Sequence, residues 1–436
     1  MAFLDPSVLT AIEQVKRKQD EPLTLTLRSR KHRTWEGELP FSDADVNALE
    51  ECFAKNKIRH LRVSYRNMAN LTGWRFLKQA HHLESITLHS DLSHGDEITE
   101  TQMVAFVDAM GAWATPSMKK VILESFGMTL GESFVAALQR MVHSKPFLEH
   151  LELYFWGFRD HEVAASFGRL FVEENVSRLK TLKLNIGQLG DKGIGYILKG
   201  VSRGSEQLQE FQLVSNANLS HERILDLILF LETSGKTLKI LNLQECSFFA
   251  SIDDQCLEAF LGALSRCSAL ESLSLNQCRL SGRTVYRLLR SNLPQSLVKL
   301  DLEYNDISDR AMAVILRHAV PYLKSLRELI LRPKGKFRSE AVLPFYWEAL
   351  HRNTCLYKLH VMHLREYEEI IQESYRLRNV RLVQTQKLLS YHSSIPLALL
   401  SAACSRLARD ENGSGLCGLR LLVSELAETV PSVPLH

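Results

Sequence analysis

The stretch LKTLKLNIGQLGDKGIGYIL, Leu179 to Leu198, carries four glycines: Gly187, Gly190, Gly193 and Gly195. Leu182, Lys183 and Leu184 alternate apolar and polar, the period of a half-buried strand. Further on, Ile194, Ile197, Leu198 and Val201 fall at i, i+3, i+4 and i+7, one face of a helix. Strand, glycine loop and helix in that order also describe a phosphate-binding loop. A dinucleotide fingerprint, however, needs G-x-G-x-x-G directly after the strand, and GQLGDKGIG has a different spacing. The segment TSGKT at 233–237 ends like a P-loop, but the glycine required upstream falls on Phe230.

Repetition decides the reading. Aligned on Leu179, apolar residues sit at offsets 0, 3 and 5, as Leu179, Leu182 and Leu184. The pattern returns from Ile58, Leu83, Met118, Leu148, Leu208, Leu238, Leu270, Leu297, Leu326 and Leu356, and every one of those positions is apolar. The starts lie 25 to 35 residues apart, about 30 on average. PLTLTLRS from Pro22 reads as a twelfth, degenerate turn. One strand and one helix cannot cover their own apolar faces, so each unit must stack on its neighbours. The glycines then punctuate turns, and Asp191, between strand and helix, is expected to cap the helix.

LESLSLNQCRLSGRTVYRLL, LVKLDLEYNDISDRAMAVIL and the opening stretch carry L-x-x-L-x-L-x-x-N/C-x-L followed by a helix start. On these residues the chain resembles the leucine-rich-repeat family, ribonuclease-inhibitor-like subclass, from about Leu23 to Leu364. The N/C position is kept by Asn216, Cys246, Cys278 and Asn305, while Phe126, Trp156 and Gly187 stand there in other repeats. The resemblance implies an α/β solenoid, a horseshoe with a parallel inner sheet and outer helices. The domains expected are an N-terminal helical cap over 1–21, about twelve repeats over 22–364, and a helical C-terminal cap or tail over 365–436. Pro6 suits a first helical position, and Val8, Ile12 and Val15 form an apolar stripe behind it.

Composition fits an ordinary globular protein, 45% hydrophobic and 24% charged, with 53 Lys+Arg against 50 Asp+Glu. That balance exerts no global pull on nucleic acid. The opening MAFLDPSVLTAIEQVKRKQD meets Asp5 before any apolar run long enough for a secretory leader. An intracellular protein, cytoplasmic or nuclear and not secreted, with eight reduced thiols, is the expectation. No apolar run approaches the roughly 20 residues of a membrane span.

On each strand, offsets 2, 4 and 6 point away from the leucines, to the concave face. Cations such as Lys183, Arg332 and Lys358 alternate there with Glu152, Asp301 and Glu303. A nucleic-acid groove needs one sign of charge and stacking aromatics, so a protein or peptide partner fits better. Tyr154 and Phe155, in LELYFWGF, are candidate anchors, whereas Trp156 at the N/C position is expected in the core. Tyr304 and His360 complete the candidate partner-binding set of Tyr154, Phe155, Glu152, Lys183, Asp301, Glu303, Tyr304, Arg332, Lys358 and His360. His360 and His363 have no third ligand in sequence to make a metal site. Asp301, Glu303 and the nearby Asp306 and Asp309 lack the closed cleft that paired catalytic carboxylates need.

The reading is a non-enzymatic, monomeric interaction scaffold with no cofactor, no metal, no nucleic acid and no membrane. Alternatives are a substrate adaptor of a ubiquitin ligase, or an activity carried by the tail, where Cys404, Cys417 and His392 form no recognisable motif.

Overall fold

The computed structural model describes residues 6–17, 23–27, 42–64, 71–89, 99–113, 117–173, 178–204, 207–216, 219–249, 252–334 and 339–361. The expected C-terminal cap over 365–436 lies outside the described residues. The chain divides into two compact units, Met1–Cys278 and Arg279–His436.

The first unit begins with helix α1 (Pro6–Arg17) and strand β1 (Leu23–Leu27). There follow α2 (Asp43–Lys55), β2 (Ile58–Ser64), a 3-10 helix (Leu71–Gln79), β3 (Ser85–His89) and α3 (Glu100–Trp113). Next come β4 (Lys120–Leu130), α4 (Glu132–Ser144), β5 (His150–Phe158), α5 (His161–Glu173), β6 (Thr181–Ile186) and α6 (Gly190–Gly204). The unit closes with β7 (Glu210–Val214), α7 (His221–Ser234), β8 (Ile240–Asn242), α8 (Asp254–Ser265) and β9 (Ser272–Ser274). The second unit holds α9 (Gly282–Arg290), β10 (Lys299–Asp301), α10 (Asp309–His318), a 3-10 turn (Val320–Tyr322), β11 (Glu328–Ile330), α11 (Ser339–Arg352) and β12 (Lys358–His360).

Each strand of the first unit pairs in parallel with the next in sequence, β1 with β2 through to β8 with β9. The second unit repeats the pattern from β10 to β12. Register follows the leucines: Leu151 lies beside Leu182, Leu182 beside Phe211, Phe211 beside Leu241 and Leu241 beside Leu273. All residues at offsets 0, 3 and 5 in the eleven turns are at most 5% exposed, so the repeated apolar positions are the spine of the core. The architecture is that of a leucine-rich-repeat solenoid, and the degenerate turn near Pro22 supplies β1.

Local signals start the helices. Ser42 and Asp45 form a capping box on α2. Ser281, Ser308 and Asp253 cap α9, α10 and α8, their side-chain oxygens accepting from Thr284, Ala311 and Cys256 backbone N–H groups. Asp191 corrects its expectation. It lies in the first turn of α6, and its carboxylate accepts from the backbone N–H and hydroxyl of Ser220, one repeat further on, at 2.7 and 2.9 Å. Asp191 therefore ties two helix starts together rather than capping its own.

The glycines of the opening stretch are places of close approach. A Cβ at Gly193 would lie 2.8 Å from the Ala164 carbonyl oxygen of α5, one at Gly195 would take the place of the Arg223 guanidinium, and Gly190 adopts φ +68°. The P-loop-like TSGKT is the end of α7, where the Gly235 N–H donates to the Leu231 carbonyl.

Candidate functional site

The loops after the strands are built in two ways. Where the N/C position holds Asn, its buried amide replaces strand pairing. Asn216 accepts from the Leu189 N–H at 3.0 Å and donates to the Ile186 and Val214 carbonyls at 3.1 and 2.8 Å. Asn305 does the same in the second unit, accepting from the Leu280 N–H and donating to the Leu302 carbonyl. Cysteine supplies half of this chemistry: the Cys246 and Cys278 thiols donate to the Leu213 and Leu243 carbonyls at 3.1 and 3.0 Å. Burial pushes the Cys246 thiol up to about 12, so it stays protonated and serves as a donor. The residue before each of these positions (Ser215, Glu245, Gln277, Tyr304) turns the chain with positive φ.

Where the position holds Phe126 or Trp156, there is neither amide nor thiol to fill the loop and the backbone goes on pairing. β4 and β5 run for 11 and 9 residues, against 3 to 7 in the other strands. Their pairing shifts between Ser125 and Thr129 and then resumes with Thr129 beside Gly157. Two expectations are overturned here. Because β5 does not turn at Phe155, its pairing runs on to Phe158 and the alternation holds through Trp156. Phe155 points into the core, 3% exposed and edge-on to Phe134 with centroids 5.3 Å apart, so it cannot contact a partner. Trp156 is not core: it stands 65% exposed on the outward face, in line with Glu152 and Tyr154. The apolar run Leu151, Leu153, Phe155 at period 2 was the signal for this, masked by assigning Trp156 to a turn.

The outward face of β4 to β7 is a connected polar row. Glu152 accepts from Lys120 at 3.1 Å and from the Tyr154 hydroxyl at 3.0 Å, and lies 3.9 Å from Lys183. Lys183 also meets Glu210 at 3.1 Å, and Glu210 accepts from Gln212 at 2.7 Å. Burial, followed by the carboxylates of Glu152, Glu124 and Glu210, pushes the Tyr154 phenol well above its ordinary range. Burial and the Lys120 ammonium hold the neighbouring His150 below the usual histidine range. Of the sequence candidates, Glu152, Tyr154 and Lys183 are thus brought together; Lys120, Glu210 and Gln212 join them.

The remaining candidates lie in the second unit. Glu303 and Arg332 form an ion pair at 2.8 Å, and the Asp301 carboxylate accepts from the Glu303 backbone N–H at 3.0 Å. Tyr304, 38% exposed, sits at φ +57° in the turn after β10. Lys358 and His360 are on β12, with His360 beside Ile330 and held below the usual histidine range by burial. Among the described residues no group of three or more His, Cys, Asp or Glu could hold a metal ion, and no helix is long and apolar enough to cross a membrane. His363 lies outside the described residues.

No protein-family model matches the chain, and no curated protein matches it. The crystal structure of the Rad7 and Elc1 complex in yeast is similar at a TM-score of 0.40 and 13% identity, over 66% of this chain and 73% of that one. The crystal structure of a TLR13–ssRNA13 complex is similar at a TM-score of 0.37 and 15% identity, over 71% of this chain and 37% of that one. The fold assignment rests on the repeat itself, and neither likeness bears on function.

Proposed function

With a leucine-rich-repeat solenoid as the premise, we propose that this chain is a non-enzymatic scaffold that binds a protein or peptide partner on the outward face of its sheet. The observation that supports this is the row from Lys120 through Glu152 and Lys183 to Glu210, in which every charge is held by a neighbour on the next strand. Side chains ordered before binding lose less entropy on docking, and their alternating signs favour a partner of matching pattern over a uniformly charged polymer. The same style of pairing recurs in the second unit, where Glu303 meets Arg332 and Lys299 meets Glu328 at 3.5 Å. The carboxylates considered for catalysis are engaged in this framework: Glu303 by Arg332, and Asp301 by a backbone N–H.

The test is capture of partners from cell extract by the full chain and by Lys183→Glu and Arg332→Glu variants, each checked for folding by circular dichroism. A partner lost selectively with one of these substitutions supports the scaffold. Partners indifferent to both, and lost when residues 365–436 are removed, would move the function to the tail.

A further inference from the structure

The long strands β4 and β5 are a local departure from the repeat, and they display one large aromatic. Trp156 is 65% exposed, an unusual placement for the largest apolar side chain. Its position depends on two glycines. A Cβ at Gly187 would lie 2.6 Å from the Trp156 carbonyl oxygen, and one at Gly157 would lie 2.9 Å from the Gly187 carbonyl oxygen. Only glycine lets β5 continue past the point where the neighbouring chain turns. On the other side, the register shift of β4 between Ser125 and Thr129 adjoins the same segment; such irregularities re-aim side chains next to functional surfaces.

The charges around this aromatic are sorted. From β4 to β8 the outward cations, Lys120 and Lys183, stand at the strand starts and middles. The strand-end positions are Glu124, Tyr154, Asn185, Val214 and Gln244, with Glu245 in the following turn, and no cation is among them. Carboxylates flank Tyr154: its hydroxyl donates to Glu152 at 3.0 Å, and Glu124 is its register partner on β4. An exposed indole face suits a guanidinium or ammonium group, and Glu124, in register with Tyr154, adds a carboxylate on the neighbouring strand.

We infer that Trp156 and Tyr154, with Glu124 beside them, anchor a basic peptide segment of the partner, an Arg or Lys side chain stacking on the Trp156 indole. This rests on the proposed scaffold function and names the partner's chemistry. The same face does not suit nucleic acid, whose phosphates would meet Glu124 and Glu245.

The probe is a set of 12-residue peptides, Arg/Gly, Glu/Gly and Ser/Gly, titrated against the full chain by calorimetry at low and high salt. The Arg/Gly peptide binds the wild type, weakens as salt rises, loses about tenfold in Trp156→Ala and regains part of it in Trp156→Phe. Glu124→Gln weakens it further. No binding of the Arg/Gly peptide, equal binding by Trp156→Ala, or equal binding of the Glu/Gly peptide overturns the anchor. Circular dichroism melts confirm that each variant folds. If the peptide arm fails while partner capture is still lost in Lys183→Glu or Arg332→Glu, the scaffold stands without this anchor. If peptide binding holds while capture ignores both substitutions, the scaffold reading fails on its own terms.

Discussion

The repeats around β4 and β5 and those around β7 to β9 share one leucine spine, yet they end their strands differently. In the second group a buried Asn or Cys donates to a carbonyl of the preceding repeat, the chain turns through a residue with positive φ, and the strand stops after 3 to 5 residues. In the first group Phe126 and Trp156 bring neither amide nor thiol, the backbone pairs further, and the strands reach 11 and 9 residues. Backbone polar groups must be paired one way or another. The side chain that the following repeat brings to this position takes part in that choice: β6, with only Gly187 of its own there, stops at Ile186, whose carbonyl is held by Asn216 of the next repeat.

This comparison can be broken most severely at Asn216. Asn216→Ala leaves the Leu189 N–H and the Ile186 and Val214 carbonyls without their partner in a dry loop, and should cost about 3 kcal/mol in chemical denaturation. A loss no larger than that of an ordinary surface substitution would show that the ladder is not what terminates these strands.

On the other side of the comparison, Gly187→Ala forces a Cβ against the Trp156 carbonyl oxygen and should cost about 2 kcal/mol, with disturbance confined to the β5–β6 segment in amide hydrogen exchange. Protection unchanged at residues 155–158 would contradict the tight fit.

The long-strand region also buries a cation. Lys145 follows α4, is buried, and donates from Nζ to the Gly111 carbonyl at 3.1 Å. Burial lowers it from the ordinary 10.5 to about 8. Below pH 8 both the folded and unfolded chains hold the proton, and the cost of burying the ammonium is constant. Between about 8 and 10.5 the unfolded chain binds more protons, so this group makes stability rise with pH. Measured against Lys145→Met, the wild type should gain stability between pH 7 and 10; a difference independent of pH would place the ammonium in water.

The smallest effect sharpens the comparison from the display side. Trp156→Ala should change stability by less than about 0.5 kcal/mol, because the ring is exposed. A large loss would return Trp156 to the core, where the sequence first placed it.

The legible part of the fold is the part with a period. Offsets 0, 3 and 5 predicted the buried spine residue by residue, and Ile194, Ile197, Leu198 and Val201 form the buried face of α6 as expected. The outward face of the sheet was half legible. Glu152, Tyr154 and Lys183 were placed by alternation, whereas Phe155 and Trp156 were exchanged because a repeat template ended the strand too early. Asp191 was misread for a related reason: helix-cap chemistry is local, but its partner Ser220 lies one repeat away.

What the amino-acid sequence determined alone is the repeat, its parallel pairing and its core, since apolar spacing states directly which face must leave water. What the tertiary structure decided is how each strand ends, and therefore which aromatic is offered outward. That depends on whether a neighbouring repeat supplies a carbonyl, an amide or a glycine-sized gap at the right place. No pattern within one repeat contains that information, because the groups that satisfy its backbone belong to the next.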